Sequence, residues 1–388
     1  MRRKIASRVK NHFGLIAVFS CVLASIPLRS PVLAENADPD SSVSEVRIGV
    51  LGLFHPTQVE VRAPEGVALM LRAGENVIVL ENSSGISSAA VRISGVSVIV
   101  SAGTQAITAS KVIVAGRDSK PADFLLAVPE KIVRRYHGTL EIRPTSGSLT
   151  SVITMDREIA VESVVAAENA PDTPFEALEA QAIATRSYFI AGGRRHYDFD
   201  FCDTTHCQFL REPPLLGTAA ARAGNATRDL VLVYDSHPVA AMYTRSCSGR
   251  TRTPAELGLP TANYPYFSVE CRYCREHPSH WSSRIPGHES ATLRASDESA
   301  RLKTVRRLGW AAVPSNDFVA KLEQNRLALE GTGQGHGIGL CQSGAKSMAE
   351  YGADFHQILG HYYPNTTIVT WPGPAARQHD SRRVVPKP

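Results

Sequence analysis

The chain has 388 residues, 43% of them hydrophobic, with 42 Lys and Arg, 37 Asp and Glu, and a formal charge of +5. The first 34 residues hold six of the basic side chains and none of the acidic ones, so the remainder sets 36 basic against 37 acidic residues. The basicity therefore belongs to the leader, the rest offers no electrostatic footprint for nucleic acid, and its length suffices for one large or two ordinary domains.

Residues 1–34 read as a secretory signal: Arg2, Arg3, Lys4, Arg8 and Lys10 precede an apolar stretch over 14–27, and Val32-Leu33-Ala34 ends in small residues. Cleavage is expected after about Ala34, placing the mature protein in the periplasm or outside the cell. The apolar stretch is short for a membrane span. A linker over 35–45 leads to short β-branched runs over 46–50, 77–80, 96–100 and 111–114, separated by Gly, Asn and Ser turns, which predict a β-rich N-terminal domain over 46–125. Nothing in it looks catalytic.

A mixed α and β domain is expected over 126–371. It opens with a hairpin, strands over 138–143 and 149–154 about a turn at Ser146-Gly147, and this leads into the densest stretch of chemistry. Val164-Val165-Ala166-Ala167 delivers Glu168 to a break at Asn169-Ala170-Pro171, the edge of a core where a carboxyl group can be desolvated and its pKa raised. Thr173-Pro174-Phe175-Glu176 has the pattern of a capping box, worth about 1 kcal/mol to a helix start. The helix that follows is Ala-rich on several faces, which predicts a buried central element, and it ends at Gly192-Gly193. Next come Cys202, His206 and Cys207: two thiolates and an imidazole within six residues, the pattern of a zinc clip.

Further on, strands over 230–234 and 239–243 predict a second hairpin presenting Tyr243 and Ser246 at its far end. Residues 299–329 show helical spacing at Leu302, Val305 and Leu308 and again at Phe318 and Leu322. Gly335-His336-Gly337-Ile338-Gly339 permits close backbone approach. Six cysteines remain beyond the leader. An even count in an oxidising compartment favours disulfides, against which stand zinc at Cys202 and Cys207 and buried free thiols. Cys271 and Cys274 have metal-like spacing, but a disulfide, with Cys247 as a partner, is the default expectation. The tail over 372–388 is basic, Pro-rich and expected to be disordered.

The ordered segments resemble the stage II sporulation protein D/amidase-enhancer LytB family. Glu168, Ala177-Leu178, Gln181 and Arg186-Ser187-Tyr188 carry the likeness first, then Cys202-Asp203-Thr204-Thr205-His206-Cys207-Gln208. Tyr243 to Thr251, Gly335 to Ala345 and Ile358 to Thr366 follow, so that it spans about 126–371. It implies an α+β fold, a β-rich N-terminal unit followed by a mixed α/β catalytic domain with the Ala-rich helix at its centre, and a lytic transglycosylase acting on peptidoglycan glycan strands. Glu168 would be the essential acid. Gln181, Arg186, Tyr243, Ser246, His336 and Gln342 would contact substrate, and Cys202, His206, Cys207 and His196 would hold a structural zinc. The family's second name implies an alternative, a non-catalytic wall-binding protein that stimulates an N-acetylmuramoyl-L-alanine amidase. The chain departs from the family at Arg250, in place of the second Gly of a pair, at Cys341, where many members have Ser, and at Glu179, where many have Lys. This last change is expected to alter the charge beside Glu168.

Overall fold

The computed structural model describes residues 45–261 and 264–371. The expected signal segment, most of the linker and the basic tail lie outside these residues. The fold is α+β, with a β-rich N-terminal part.

Twelve strands join in one hydrogen-bonded network. At its middle stands the expected hairpin, Ile132–Thr145 against Ser148–Asp156, closed at Thr145↔Ser148. Ser146 and Gly147 turn the chain with φ of 49° and 83°, as a right-twisted two-residue hairpin requires. The first strand, Glu45–Val50, pairs antiparallel with the second arm of this hairpin, from Glu45↔Asp156 to Val50↔Ser151. The expected domain boundary at 125/126 falls inside the strand Ala122–Val128, which pairs with the other arm. The N-terminal strands and the hairpin that leads to Glu168 are therefore parts of one sheet network.

The sheet passes directly into helix α1, Arg157–Glu168, because the Asp156 carboxylate accepts the backbone N–H groups of Glu158 (2.8 Å) and Ile159 (3.3 Å). Helix α2, Phe175–Ala191, is the Ala-rich element, and residues 177–189 are all buried. It parts two apolar cores: Leu178, Ala182 and Phe189 pack toward the large sheet, while Ala177, Ala180, Ile183 and Ala184 pack with Tyr264, Ile338 and Tyr363. Small residues let neighbours approach it from both sides, as the composition predicts. Helices α3 (Ala219–Ala226), α4 (Arg272–Glu276), α5 (Glu298–Leu308), α6 (Gln342–Glu350) and α7 (Phe355–Tyr362) follow. No helix among the described residues is long and apolar enough to cross a membrane.

Three local expectations are corrected. The capping box at Thr173 does not form. Pro174 occupies the N-cap of α2 with no side-chain cap, and the Glu176 carboxylate instead accepts the N–H of Phe355 (3.0 Å) at the start of α7. The capping box that does form is Asp354 with Gln357 on α7. Second, helical spacing holds through α5, but Phe318 and Leu322 lie on the strand Asp317–Glu323, which returns through Gln324 (φ 53°) as Arg326–Thr332. A spacing of four residues marks one face of a helix and one face of a strand alike. Third, the second hairpin closes after only Val233↔Pro238 and Tyr234↔His237. The chain then runs on to Tyr243–Thr244, which pairs in parallel with Leu340–Cys341.

Candidate active site

Glu168 is the last residue of α1. Asn169 leaves helical geometry and ties its side-chain Nδ2 back to the Val165 carbonyl (2.9 Å), so the helix stops with the acid at its end. The C-terminal end of a helix carries partial negative charge, which disfavours a carboxylate there. Glu168 is partly exposed as a residue, but its carboxyl end is packed into the wall of a cleft of about 600 Å³. Burial pushes its pKa up to about 7, against the opposing pull of the Phe209 amide, Arg245, Gln342 and Tyr243. The Phe209 N–H donates to Oε1 at 3.1 Å. The Glu168 carbonyl accepts from Arg245 Nη1 (3.0 Å) and Gln342 Nε2 (3.4 Å), so the end of α1 is held from two directions.

Around the acid, Tyr243 donates its hydroxyl to Gln208 Oε1 (3.1 Å), and Gln208 Nε2 donates to the Thr185 carbonyl (3.4 Å). His336 lines the cleft, and burial lowers its pKa to about 4, so it is a neutral imidazole at ordinary pH. Its Nδ1 accepts the N–H of Ile338 (3.0 Å), which assigns the ring proton to Nε2. Glu298 and Arg301 also line the cleft, locked in a bidentate pair (2.7 and 2.8 Å), with Trp310 beside them. Glu168 and Glu298 are the two acids lining the cleft among the described residues, and only Glu168 lacks a cation on its carboxylate.

Tyr243, His336 and Gln342 line the cleft together with Glu168. Three other expected contact residues do not line the cleft. Arg186 is fully buried and holds Glu158 with two nitrogens (2.9 and 2.7 Å), with further bonds to the carbonyls of Leu230 and Gly224. Gln181 lies behind Gln342, accepting from its Nε2 at 3.4 Å. Ser246 is buried with its hydroxyl 3.5 Å from Cys274 Sγ. Glu179 lies on the buried helix α2 and does not line the cleft. Burial raises its own pKa to about 7, with Glu176 as the second cause. Arg245, Trp310 and the Phe209 amide were missed. Arg245 lies inside the Tyr243–Ser246 motif, whereas a backbone N–H leaves no sequence signal.

His196, Cys202, His206 and Cys207 come together at the cleft's edge, their donor atoms all within 4.8 Å of one another. Cys202 Sγ is 3.2 Å from Cys207 Sγ and 3.7 Å from His206 Nδ1, and His196 Nε2 is 3.3 Å from Cys207 Sγ. The N-terminal strand helps to build this cluster, since Gly49 pairs with Cys202. A Cβ on Gly49 would sit 2.5 to 2.8 Å from the Phe199 ring, which stacks on His196 at 4.4 Å. All six cysteines among the described residues are free, and where a disulfide of Cys271, Cys274 and Cys247 was expected the structure has a buried group of thiols.

Fold and site together define a mixed α and β protein in which, among the described residues, one of the two acids lining a cleft has no ion pair and a cysteine/histidine cluster stands at the cleft's edge. Residues 145–234 match the family described as stage II sporulation protein, SpoIID. The chain is 29% identical over 269 residues to an uncharacterized protein of Brachyspira hyodysenteriae, covering 61% of this chain and 73% of that one. It is 25% identical over 262 residues to stage II sporulation protein D of Bacillus amyloliquefaciens, covering 56% and 75%. A shorter stretch of 73 residues, 19% of this chain and 10% of the relative, is 36% identical to the amidase enhancer of Bacillus subtilis (strain 168). Over these stretches the chain is similar to proteins of the SpoIID/LytB family.

Proposed function

We propose that this protein is a peptidoglycan lytic transglycosylase of cell-wall remodelling, acting outside the cytoplasm on glycan strands, with Glu168 as its only catalytic carboxyl group. The observation that carries this reading is the solitary acid: a carboxyl pushed up to about 7 by burial, positioned by the Phe209 amide, with the one other acid of the cleft neutralised by Arg301. An ordinary glycosidase uses two carboxyl groups, one to protonate the leaving oxygen and one to activate water or to attack. One suffices if the substrate supplies the nucleophile. Protonated Glu168 gives its proton to the oxygen linking N-acetylmuramic acid to N-acetylglucosamine, and the bond from that oxygen to C1 breaks. The resulting carboxylate takes the proton of the muramic C6 hydroxyl as O6 closes on C1, which leaves a 1,6-anhydro end and restores the acid. Tyr243, His336 and Gln342 supply polar groups to the sugar, and Trp310, 42% exposed, offers an apolar face.

The donor set at the cleft's edge fits a structural zinc. Tetrahedral zinc, with Zn–S of about 2.3 Å and Zn–N of about 2.0 Å, sets its ligands roughly 3.3 to 3.8 Å apart, and the separations found run from 3.2 to 3.7 Å. His196, Cys202, His206 and Cys207 would hold it, with four protein ligands filling the shell and the metal taking no part in the chemistry. Its effect on Glu168 runs through the chain, because Gln208 and Phe209 directly follow Cys207.

The test is mass spectrometry of purified glycan strands, with and without stem peptides, after incubation with the protein and with Glu168→Gln. The 1,6-anhydro ends are expected with the wild type and not with the variant. The name of the amidase-enhancer relative supports a second reading, a wall-binding protein that stimulates an N-acetylmuramoyl-L-alanine amidase. Binding of glycan by both proteins without cleavage, and stimulation of an added amidase by both, would establish that reading instead.

A further inference from the structure

We propose that Cys247, Cys271, Cys274 and Cys341 form a second metal site, a tetrathiolate zinc clamp that fixes the wall of the cleft behind Glu168. It shares no residue with the cluster at the cleft's edge and does not depend on the reaction proposed above. The four sulfurs lie within 4.8 Å of one another, and their residues are 2%, 2%, 1% and 0% exposed. Four thiolates around one zinc ion at about 2.3 Å stand about 3.8 Å apart, and Cys274 Sγ is 3.5 Å from Cys341 Sγ. Two disulfides would sort four sulfurs into two separate bonded pairs. Here each sulfur has three others as neighbours, the arrangement that one central ion asks for, and none is cross-linked.

The chain is built to bring these thiols together. Cys271 is the N-cap of α4 and Cys274 lies one turn on, so both face one side. Cys341 ends the strand Leu340–Cys341, Cys247 follows its parallel partner Tyr243–Thr244, and the pairing Thr244↔Cys341 sets them side by side. Three donors surround the sulfurs: the Cys247 N–H at 3.3 Å from Cys341 Sγ, the Ser246 hydroxyl at 3.5 Å from Cys274 Sγ and the Tyr362 hydroxyl at 3.4 Å from Cys271 Sγ. A thiolate can only accept, so with metal bound all three donate, offsetting the surplus negative charge of four thiolates on a divalent ion. Gly344 makes room for the Tyr362 hydroxyl, since a Cβ there would overlap it and stand 2.6 Å from Cys271 Sγ.

The clamp's purpose follows from its neighbours in sequence. Arg245 lies two residues before Cys247 and Gln342 directly after Cys341, and these are the two side chains that hold the Glu168 carbonyl. One ion would thereby join the two strand ends that position the acid.

The test uses the full chain, loaded with zinc alone and dialysed. Metal analysis is expected to give about one zinc ion in Cys202→Ser/Cys207→Ser, with four sulfur neighbours by X-ray absorption, and loss of that ion when Cys271→Ser/Cys274→Ser is added. Should the variants fail to fold, the wild type decides: about two ions with three sulfurs each on average, or one ion with four sulfurs, uphold the clamp, whereas one ion with two sulfurs and two nitrogens overturns it. Alkylation under denaturing conditions with a chelator and no reductant is expected to label all four cysteines. Recovery of these residues as disulfides would equally overturn the proposal.

Discussion

Helix α1 carries, ten residues apart, two acids whose carboxyl groups are packed away from water, and they do opposite jobs. Glu158, in the first turn, is 4% exposed and gives both oxygens to Arg186, with Arg157 at 3.8 Å. Glu168, at the last turn, has a backbone amide on one oxygen and no ion pair among the described residues. Burial with a matched guanidinium makes a structural joint, because the cation offsets the loss of hydration. Burial without one leaves a carboxyl group that keeps its proton near neutral pH and has it to give. The presence or absence of a cationic partner separates a brace from a candidate catalyst.

That contrast breaks first if Glu168 is removed. Glu168→Gln keeps the acceptor for the Phe209 amide, so the fold should be kept, with thermal stability no lower than the wild type's, while anhydro-sugar formation falls by roughly 10²- to 10⁴-fold, the usual contribution of a general acid and base. A fold lost along with the activity would make Glu168 another Glu158. The converse substitution, Arg186→Met, leaves the buried Glu158 with only the more distant Arg157 at 3.8 Å and should cost about 3–5 kcal/mol by chemical denaturation, with the turnover of the remaining folded protein unchanged. A drop in turnover without a drop in stability would return Arg186 to the cleft.

A smaller effect sharpens the comparison through pH. The folded pKa of Glu168, about 7, lies above its ordinary 4.5. Between those values the folded state binds more protons than the unfolded one, so this group makes stability fall as pH rises from about 5 to about 7 and then level off. Glu168→Gln lacks that slope, and its melting temperature should gain on the wild type between pH 5 and pH 8. Asp203, raised to about 6 chiefly by burial, adds a slope of the same sign to both proteins. A wild type and variant that track in parallel across this range would mean that Glu168 is ionised throughout. The smallest effect is expected at Thr173→Ala, within about 0.5 kcal/mol, because the cap that its sequence advertises is not made.

How much of this could be read from the residues depends on how local each feature is. The hairpin about Ser146-Gly147, the buried Ala-rich helix and the gathering of Cys202, His206 and Cys207 are short-range patterns, and the structure contains them. Glu168 at the break after Ala167 was visible for the same reason. Arg186 was not placed correctly because its partner lies 28 residues earlier, and nothing in a helical Arg tells a cleft from a core. Glu176 was assigned to its own helix start, yet serves one 179 residues away. Cys341, read only as a departure from the family pattern, proves to be the fourth member of a cluster whose other three lie 67 to 94 residues before it. Tertiary pairing decides such roles, and local spacing carries no trace of it.

The most direct test of a lone acid served by a substrate hydroxyl is to run the cleavage of glycan strands in oxygen-18 water and read the new ends by mass spectrometry. Closure by the muramic C6 hydroxyl predicts 1,6-anhydro ends that carry no label, at every extent of reaction. Reducing ends labelled with oxygen-18 would show that water is the nucleophile, and a single carboxyl group at Glu168 would not then explain the chemistry.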